Sequence, residues 1–278
     1  MKKSGTFAFY NPKTKQLMDE TIGTGLPLIL LMNDDGVDAA GIKALQSVAL
    51  HFGHVVMVAP ARSQSGKSHA ITFSSPLRYR KVKEGPDVEV YKVYGTPVDA
   101  YKIADCEVLK GRKPDLLLSG INHGANTSSS LIYSGTMATV IEGCINGIPS
   151  IGFSLVDNGQ TPDFEAAKMY IYSIIYKVLR EPMPADVCLN VNIPPIPRTE
   201  IAGVRVTRQA LNRWHETLEK RQDPQGRDYF WLSGSLGDED KGEDTDVWAV
   251  EHNYISVQPV QVDMTAYRHM DFFEKWSF

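Results

Sequence analysis

Pro27-Leu28-Ile29-Leu30-Leu31-Met32-Asn33-Asp34-Asp35-Gly36-Val37-Asp38-Ala39-Ala40-Gly41-Ile42 decides how the rest of the chain is read. The apolar run from Leu28 to Met32 stops abruptly at Asn33-Asp34-Asp35-Gly36. Ile42, Leu45 and Val48 then recur at helical spacing. Strand, tight turn and helix form the opening unit of a doubly wound α/β domain. In such sheets the ligand sits beyond the carboxyl ends of the strands, which is where this turn falls. The turn lacks the Gly-x-Gly-x-x-Gly that brings bare N–H groups to a pyrophosphate. It presents adjacent carboxylates, which repel a phosphate unless a cation intervenes. Paired acids at the mouth of an open sheet therefore point to a hard divalent ion with oxygen ligands. Helix capping accounts for one Asp, or for Asp38 alone. Three acids beside one helix start exceed what capping needs.

The chain has 278 residues, 42% hydrophobic and 22% charged, which fits one large α/β domain or one domain with an appendage. A net charge of −4 argues against a nucleic-acid partner held by backbone contacts. Cys106, Cys144 and Cys188 show no Cys-x-x-Cys spacing and are expected to be reduced, buried thiols. Lys2 and Lys3 precede no apolar stretch of the signal-peptide kind, and no run is long enough to span a bilayer. The expected location is the cytoplasm, with no membrane partner.

Further along, Val55 to Pro60 reads as a second buried strand, followed by the polar loop Ala61-Arg62-Ser63-Gln64-Ser65-Gly66-Lys67-Ser68-His69. Gly66-Lys67-Ser68 lacks the upstream Gly and the following helix of a phosphate-binding P-loop. Strands through Leu77 and Tyr79 and through Val88 to Val93 read as a peripheral antiparallel pair. Thr96 and Pro97 start a helix as N-cap and first residue. Asp115 to Ser119 is a third buried strand, ending in Gly120-Ile121-Asn122-His123-Gly124-Ala125-Asn126. Strand ends on one edge bring Asp34, Asp35, Ser65 and Asn122 within reach of each other. Ser134-Gly135-Thr136 opens a helix that runs to about Asn146 and offers free N–H groups and hydroxyls to an anion. The role of Glu142, inside that helix, is open from the sequence alone. Residues 164–180 form an amphipathic helix, with Tyr170, Tyr172 and Tyr176 as packing. Val187 to Ile193 is expected to close the sheet. After it come alternating strands, a hairpin turn at Arg227-Asp228, an acidic loop over residues 237–246 read as solvated, and a docked helix over residues 263–278.

With these residues in place, the chain resembles the SurE family of stationary-phase-survival 5′/3′-nucleotidases. The resemblance is carried by five stretches in order: Ile29 through Ile42, Val58 through Gly66, Gly95-Thr96-Pro97, Ser119 through Asn126, and Tyr133-Ser134-Gly135-Thr136 with Glu142-Gly143. Val206-Thr207-Arg208, Gln222-Asp223-Pro224 and Thr245-Asp246 also fit. It implies a Rossmann-like three-layer core over residues 27–195, an N-terminal arm over 1–26 outside the family pattern, and a β-rich oligomerisation appendage over 196–278. It implies one divalent cation, Mg²⁺ or Mn²⁺ with Ca²⁺ as a crystal substitute, held by Asp34, Asp35, Ser65 and Asn122. Asp34 and Asp35 are then the catalytic pair. Asn33, Gly66, Asn126, Ser134, Gly135 and Thr136 are expected around the substrate. The implied reaction is hydrolysis of nucleoside monophosphates by metal-activated water, in a homodimer or homotetramer with exchanged tails. His69 and His123 lie close enough in sequence to serve as proton donors to the leaving group. The chain departs from the family pattern at Ala61, where an acid is usual, at Ser128, where a glycine is common, and at Glu243-Asp244.

Three rival readings fit less well. A haloacid-dehalogenase phosphatase needs Asp-x-Asp, whereas these acids are adjacent. A receiver module needs an Asp at the end of its third strand and is less than half this length. A non-catalytic nucleotide-binding protein is separated by turnover alone.

Overall fold

The computed structural model describes residues 25–157 and 159–277, so the arm expected over 1–26 lies outside the described residues except at its end. The chain opens with β1 (Leu28–Met32), α1 (Ala40–Ala49) and β2 (His54–Pro60). Next come β3 (Arg78–Glu84), β4 (Val88–Tyr94), α2 (Pro97–Ile103) and β5 (Leu116–His123). The one-turn α3 (Ser130–Tyr133), α4 (Gly135–Ile145), β6 (Ser150–Leu155), α5 (Glu165–Arg180) and β7 (Val187–Ile193) follow. The C-terminal part supplies β8 (Gly203–Val206), β9 (Trp214–Gln222), β10 (Asp228–Leu236), α6 (Asp246–Glu251), β11 (Tyr254–Gln261) and α7 (Met270–Phe273).

Among the described residues, nine strands form one sheet in the order β3-β4-β2-β1-β5-β6-β7-β11-β8. From β4 to β7 all neighbours are parallel. Parallel strands are covered on both faces and so must be apolar on both. β1 shows this: Ile29 and Leu31 enter one core with α1 and α5. Leu30 and Met32 enter the other, beside Tyr101 of α2 and Met137 and Val140 of α4. The result is three layers. Winding runs outward from β1 through β2 to β4, then reverses through β5, β6 and β7. The crevice between the carboxyl ends of β1 and β5 is the switch point where ligands bind in such sheets.

Four expectations are corrected. β3 and β4 pair antiparallel as expected, but β4 is no peripheral strand: it also pairs parallel with β2 from Val55↔Val88 to Pro60↔Val93, because Val88, Val90 and Val93 are all buried. Only β3 lies at the edge, and its exposed Arg78, Arg80, Lys81 and Lys83 protect that edge from further pairing. β7 does not close the sheet, since β11 pairs antiparallel with it and β8 joins β11. Residues beyond 195 therefore extend the main sheet, and the β9–β10 ribbon alone stands apart. The final stretch is not a docked helix; it makes a 3₁₀ turn and the short α7, with Tyr267, Met270, Phe272 and Trp276 exposed. Cys106 is an exposed thiol, while Cys144 and Cys188 are buried as expected. No helix among the described residues is long and apolar enough to cross a membrane.

Candidate active site

Asn33 braces the acidic turn. Its Nδ2 donates to the Gly36 carbonyl at 3.0 Å, and its Oδ1 accepts from the Gly36 N–H at 3.2 Å. Gly36 has φ +105°, a conformation that side chains rarely adopt, and it packs against Arg62 and Pro60 backbone. The amide of Asn33 is thus committed within the turn. The N-cap of α1 is Ala39, with no side-chain cap. Asp38 is exposed and pairs with Lys92 at 3.2 Å. None of the three acids caps the helix, which leaves Asp34 and Asp35 to face the sheet edge.

Asp34 is 3% exposed, and its Oδ1 accepts from the Thr136 hydroxyl at 2.6 Å. Backbone N–H groups of Gly135 and Thr136 also reach it. The anion that the start of α4 holds in the structure is therefore the Asp34 carboxylate itself. Burial still pushes the Asp34 pKa above the usual carboxylate value, against those bonds. Asp35 is half-buried and is pushed up to about 6, first by burial and then by the charge of Asp34. The His123 N–H, 3.4 Å from its Oδ2, acts in the other direction. Hydrogen bonds, and for Asp35 also the His123 charge, act against these shifts. Two adjacent carboxylates whose charges burial disfavours fit a hard divalent cation. Among the described residues there is no cluster of three or more His, Cys, Asp or Glu. Ser65 and Asn122 put neutral oxygens on the two loops next to this turn.

The neighbouring loops converge on this turn. The Gln64 N–H donates to the Asp34 carbonyl at 2.8 Å, so Ser65 follows directly beside the acids. Ser65 is exposed, with its Oγ 3.0 Å from that of Ser63. Gly66 takes φ +72° with open space around it. Asn122, at the end of β5, donates its Nδ2 to the Gly124 carbonyl at 2.8 Å. α1 presses on this strand end: a Cβ on Gly41 would lie 1.9 Å from the Ile121 carbonyl oxygen.

Other expected site residues also make scaffold contacts. Asn126 is 5% exposed; its Nδ2 donates to Ser154 Oγ at 2.8 Å and its N–H to Asn192 Oδ1 at 2.8 Å. Its carbonyl accepts from Asn190 Nδ2 at 2.7 Å, and Asn190 continues to Gln258 at 2.9 Å. This buried polar ladder joins β6, β7 and β11. Nothing in the pattern of β7 marks Asn190 and Asn192 as its rungs. Ser134 is the N-cap of α4, accepting from the Met137 N–H at 3.0 Å. His69 meets Glu142 at 2.7 Å, and Lys102 meets the same carboxylate at 2.5 Å. Glu142 lies two turns beyond Gly135, roughly 10 Å along the helix axis. His69 therefore helps clamp the loop after β2, as do Thr72 and Thr96 on Asp99 at 2.6 and 2.8 Å. The histidine beside the acids is His123.

The departure at Ser128 has a structural reason. Ser128 sits at φ +53°, where glycine is the usual solution. Its hydroxyl donates to the carbonyls of Ala210 and Asn212 at 3.0 and 3.2 Å and accepts from the Asn212 N–H at 3.1 Å. Its own N–H donates to the buried Asp246 at 2.8 Å. Asp246 is thus no part of a solvated loop, and Asp240 and Asp244 pair with Arg208 at 2.6 and 2.9 Å. Ser128→Ala keeps the backbone strain and loses the hydroxyl, so a loss of about 2 kcal/mol is expected. Ser128→Gly recovers about 1 kcal/mol of that strain and is expected to lose less. Urea unfolding of the two variants checks the order; equal stabilities would contradict it.

The Survival protein SurE family model matches residues 29–216, from β1 into β9. A 5′-nucleotidase SurE from Flavobacterium psychrophilum is 49% identical over 252 residues, covering 90% of this chain and 98% of the relative. A 5′-nucleotidase SurE from Christiangramia forsetii is 48% identical over 253 residues, covering 90% and 97%. The crystal structure of the SurE protein from Aquifex aeolicus matches with a TM-score of 0.78 at 41% identity, over 89% of this chain and 98% of that one. Matches of this extent take in the acidic turn, the loop after β2 and the start of α4 together, and the chain belongs to the SurE family.

Proposed function

We propose that this protein is a metal-dependent nucleotidase that hydrolyses nucleoside 5′-monophosphates, and 3′-monophosphates as a second class, to nucleoside and phosphate. The observation that carries the reading is the Asp34–Asp35 pair, whose charges burial disfavours, at the switch point of the sheet. The names of its relatives support the substrate class. Asp34, Asp35, Ser65 and Asn122 would hold one Mg²⁺ or Mn²⁺. Such an ion supplies positive charge for the phosphoryl oxygens and lowers the pKa of water at neutral pH.

Asp35, the more accessible carboxylate, orients the attacking water and takes its proton. Asp34 is fixed by Thr136 and the start of α4, so its position is set before substrate arrives. The exposed Ser65 and Gly66 and the end of β5 at Asn122 leave the phosphate a polar approach. His123, whose backbone N–H reaches Asp35, is the proposed proton donor to the leaving alkoxide. The same reading makes the β9–β10 ribbon and the tail contact surfaces of a homodimer or homotetramer. Leu218 at 65%, Trp231 at 58% and Leu232 at 68% exposure support it, since a lone two-stranded ribbon buries too little to stand by itself. Three free cysteines accord with a reducing cytoplasm.

The test of function is phosphate release from a panel of 5′- and 3′-nucleoside monophosphates with each metal added to chelator-treated protein. Metal-dependent turnover of at least one is expected, and none with any metal would overturn the proposal. A pH dependence also follows. Asp35 titrates near 6 when metal-free, above its ordinary 3.8, so below pH 6 a bound proton must leave before a cation enters. Metal affinity is expected to fall about tenfold per pH unit below 6, with proton release on binding. The sign for stability is opposite: the metal-free fold gains stability as pH falls from 7 through 6. Calorimetric titration with Mn²⁺ between pH 5 and 7.5 checks this, and a flat affinity would contradict it.

A further inference from the structure

A second feature of the same sheet edge shares only His123 with the chemistry above. Beyond the carboxyl ends of β6 and β7 lies a cavity of about 260 Å³. His123, Leu155, Pro162, Ala166, Ile196 and Pro197 are among the residues lining it. Its walls combine aliphatic and proline residues with His123, Gln160, Thr161 and Asp163. The volume is a little below the roughly 300 Å³ at which pockets for whole drug-sized ligands begin. It suits one flat heterocycle and excludes a complete nucleotide.

The position matters more than the size. His123 joins the two places: its backbone N–H is 3.4 Å from Asp35 Oδ2, while its side chain lines the cavity. Its Nε2 lies 3.4 Å from Asp157 Oδ1, which holds the ring at the cavity edge. Strand register gives the same spacing. Asn122 pairs with Ser154 and His123 with Leu155. Leu155 pairs in turn with Ile193, two residues before the 195–197 wall. Neighbouring strands are about 4.8 Å apart, so the cavity begins one to two strand spacings from the acidic turn along the edge. A single sugar spans that gap between a phosphate and a base.

We propose that this cavity is the nucleobase subsite, where the base of the substrate packs against His123 and the proline walls while its phosphate lies at Asp34 and Asp35. The inference rests on the nucleotidase reading. Shape and apolar contact do the recognising here. The subsite thus favours nucleoside monophosphates over sugar phosphates and discriminates more weakly among the bases.

The test compares kcat/KM for AMP, GMP, CMP and UMP with that for ribose 5-phosphate, which carries no base, all with added Mn²⁺. Ala166→Trp fills the cavity from α5, and Ile196→Trp fills it independently from the 195–197 segment. The expected result is a nucleotide-to-ribose-5-phosphate ratio that falls about ten- to one-hundred-fold in the filled variants, mostly through KM. That is the range one stacked base is worth. A ratio that stays at the wild-type value overturns the subsite, whether both rates persist or both fall together. Wild-type protein that shows no preference for nucleotides over ribose 5-phosphate overturns it as well. Wild-type protein that cleaves neither overturns the nucleotidase reading and the subsite with it, and that failure is read before any variant is made.

Discussion

Asp35→Asn is expected to lower kcat for a nucleoside monophosphate by about three powers of ten while leaving the fold intact. The change keeps the shape of the side chain and removes one charge. In the proposed site that charge serves twice, holding the cation and taking the proton of the attacking water. A positioned acid or base contributes typically 10²–10⁴-fold, and the loss of a metal ligand adds to it. Stability moves the other way. Asp35 is raised to about 6 because burial and Asp34 disfavour its charge, so removing the charge relieves the metal-free protein at neutral pH. The variant should therefore unfold at the same temperature as metal-free wild type or higher, and should lose the thermal shift on adding Mn²⁺. Activity within tenfold of wild type would remove Asp35 from the chemistry. A large drop in unfolding temperature would make its role structural.

Gly135→Ala should cost both activity and stability. A Cβ there would lie 2.7 Å from Asp34 Cβ, 2.9 Å from Asp34 Oδ2 and 2.9 Å from Pro97 Cγ. None of these has room to retreat. Asp34 is tied to Thr136 at 2.6 Å and Pro97 is locked at the start of α2. Overpacking of this kind typically costs 1–3 kcal/mol. In a chain of this size that is a fall of roughly 2–4 °C in Tm for each kcal/mol. The larger effect is on rate: displacing a positioned group by about 1 Å can cost 10²-fold. Gly135→Ala is thus expected to lose about 10² in kcat with a modest Tm loss. Unaltered kcat would show that contact between α4 and Asp34 does not set the site.

The core of this architecture was legible because its signals are local. Leu28–Met32 ending in Asn33-Asp34-Asp35-Gly36 marks a strand, a turn and an acidic edge without knowledge of any partner. Thr96-Pro97 marks a helix start, and the structure shows a full capping box there. The misread parts depend on contacts far along the chain. β11 joins β7 from 60 and more residues away, as in Ser256↔Asn192. The bonds that tie Asn126 to Asn190, Asn192 and Ser154 reach across 28 to 66 positions and leave no local signature. His69 and Glu142 are 73 positions apart, so their pairing has no local signature. Asp34 gives the most instructive case. Its acid chemistry was plain, yet Ser134-Gly135-Thr136 read as a separate anion site, and only the fold shows that Asp34 is the anion it holds.

The central claim is that Asp34, Asp35, Ser65 and Asn122 together hold one divalent cation. Anomalous diffraction from crystals grown with Mn²⁺ tests it most directly. One strong peak within bonding distance of both carboxylates, with Ser65 and Asn122 completing the shell and no such peak in Asp35→Asn crystals, is the predicted result. Mn²⁺ bound elsewhere, or an acidic turn without a peak at saturating Mn²⁺, would contradict it.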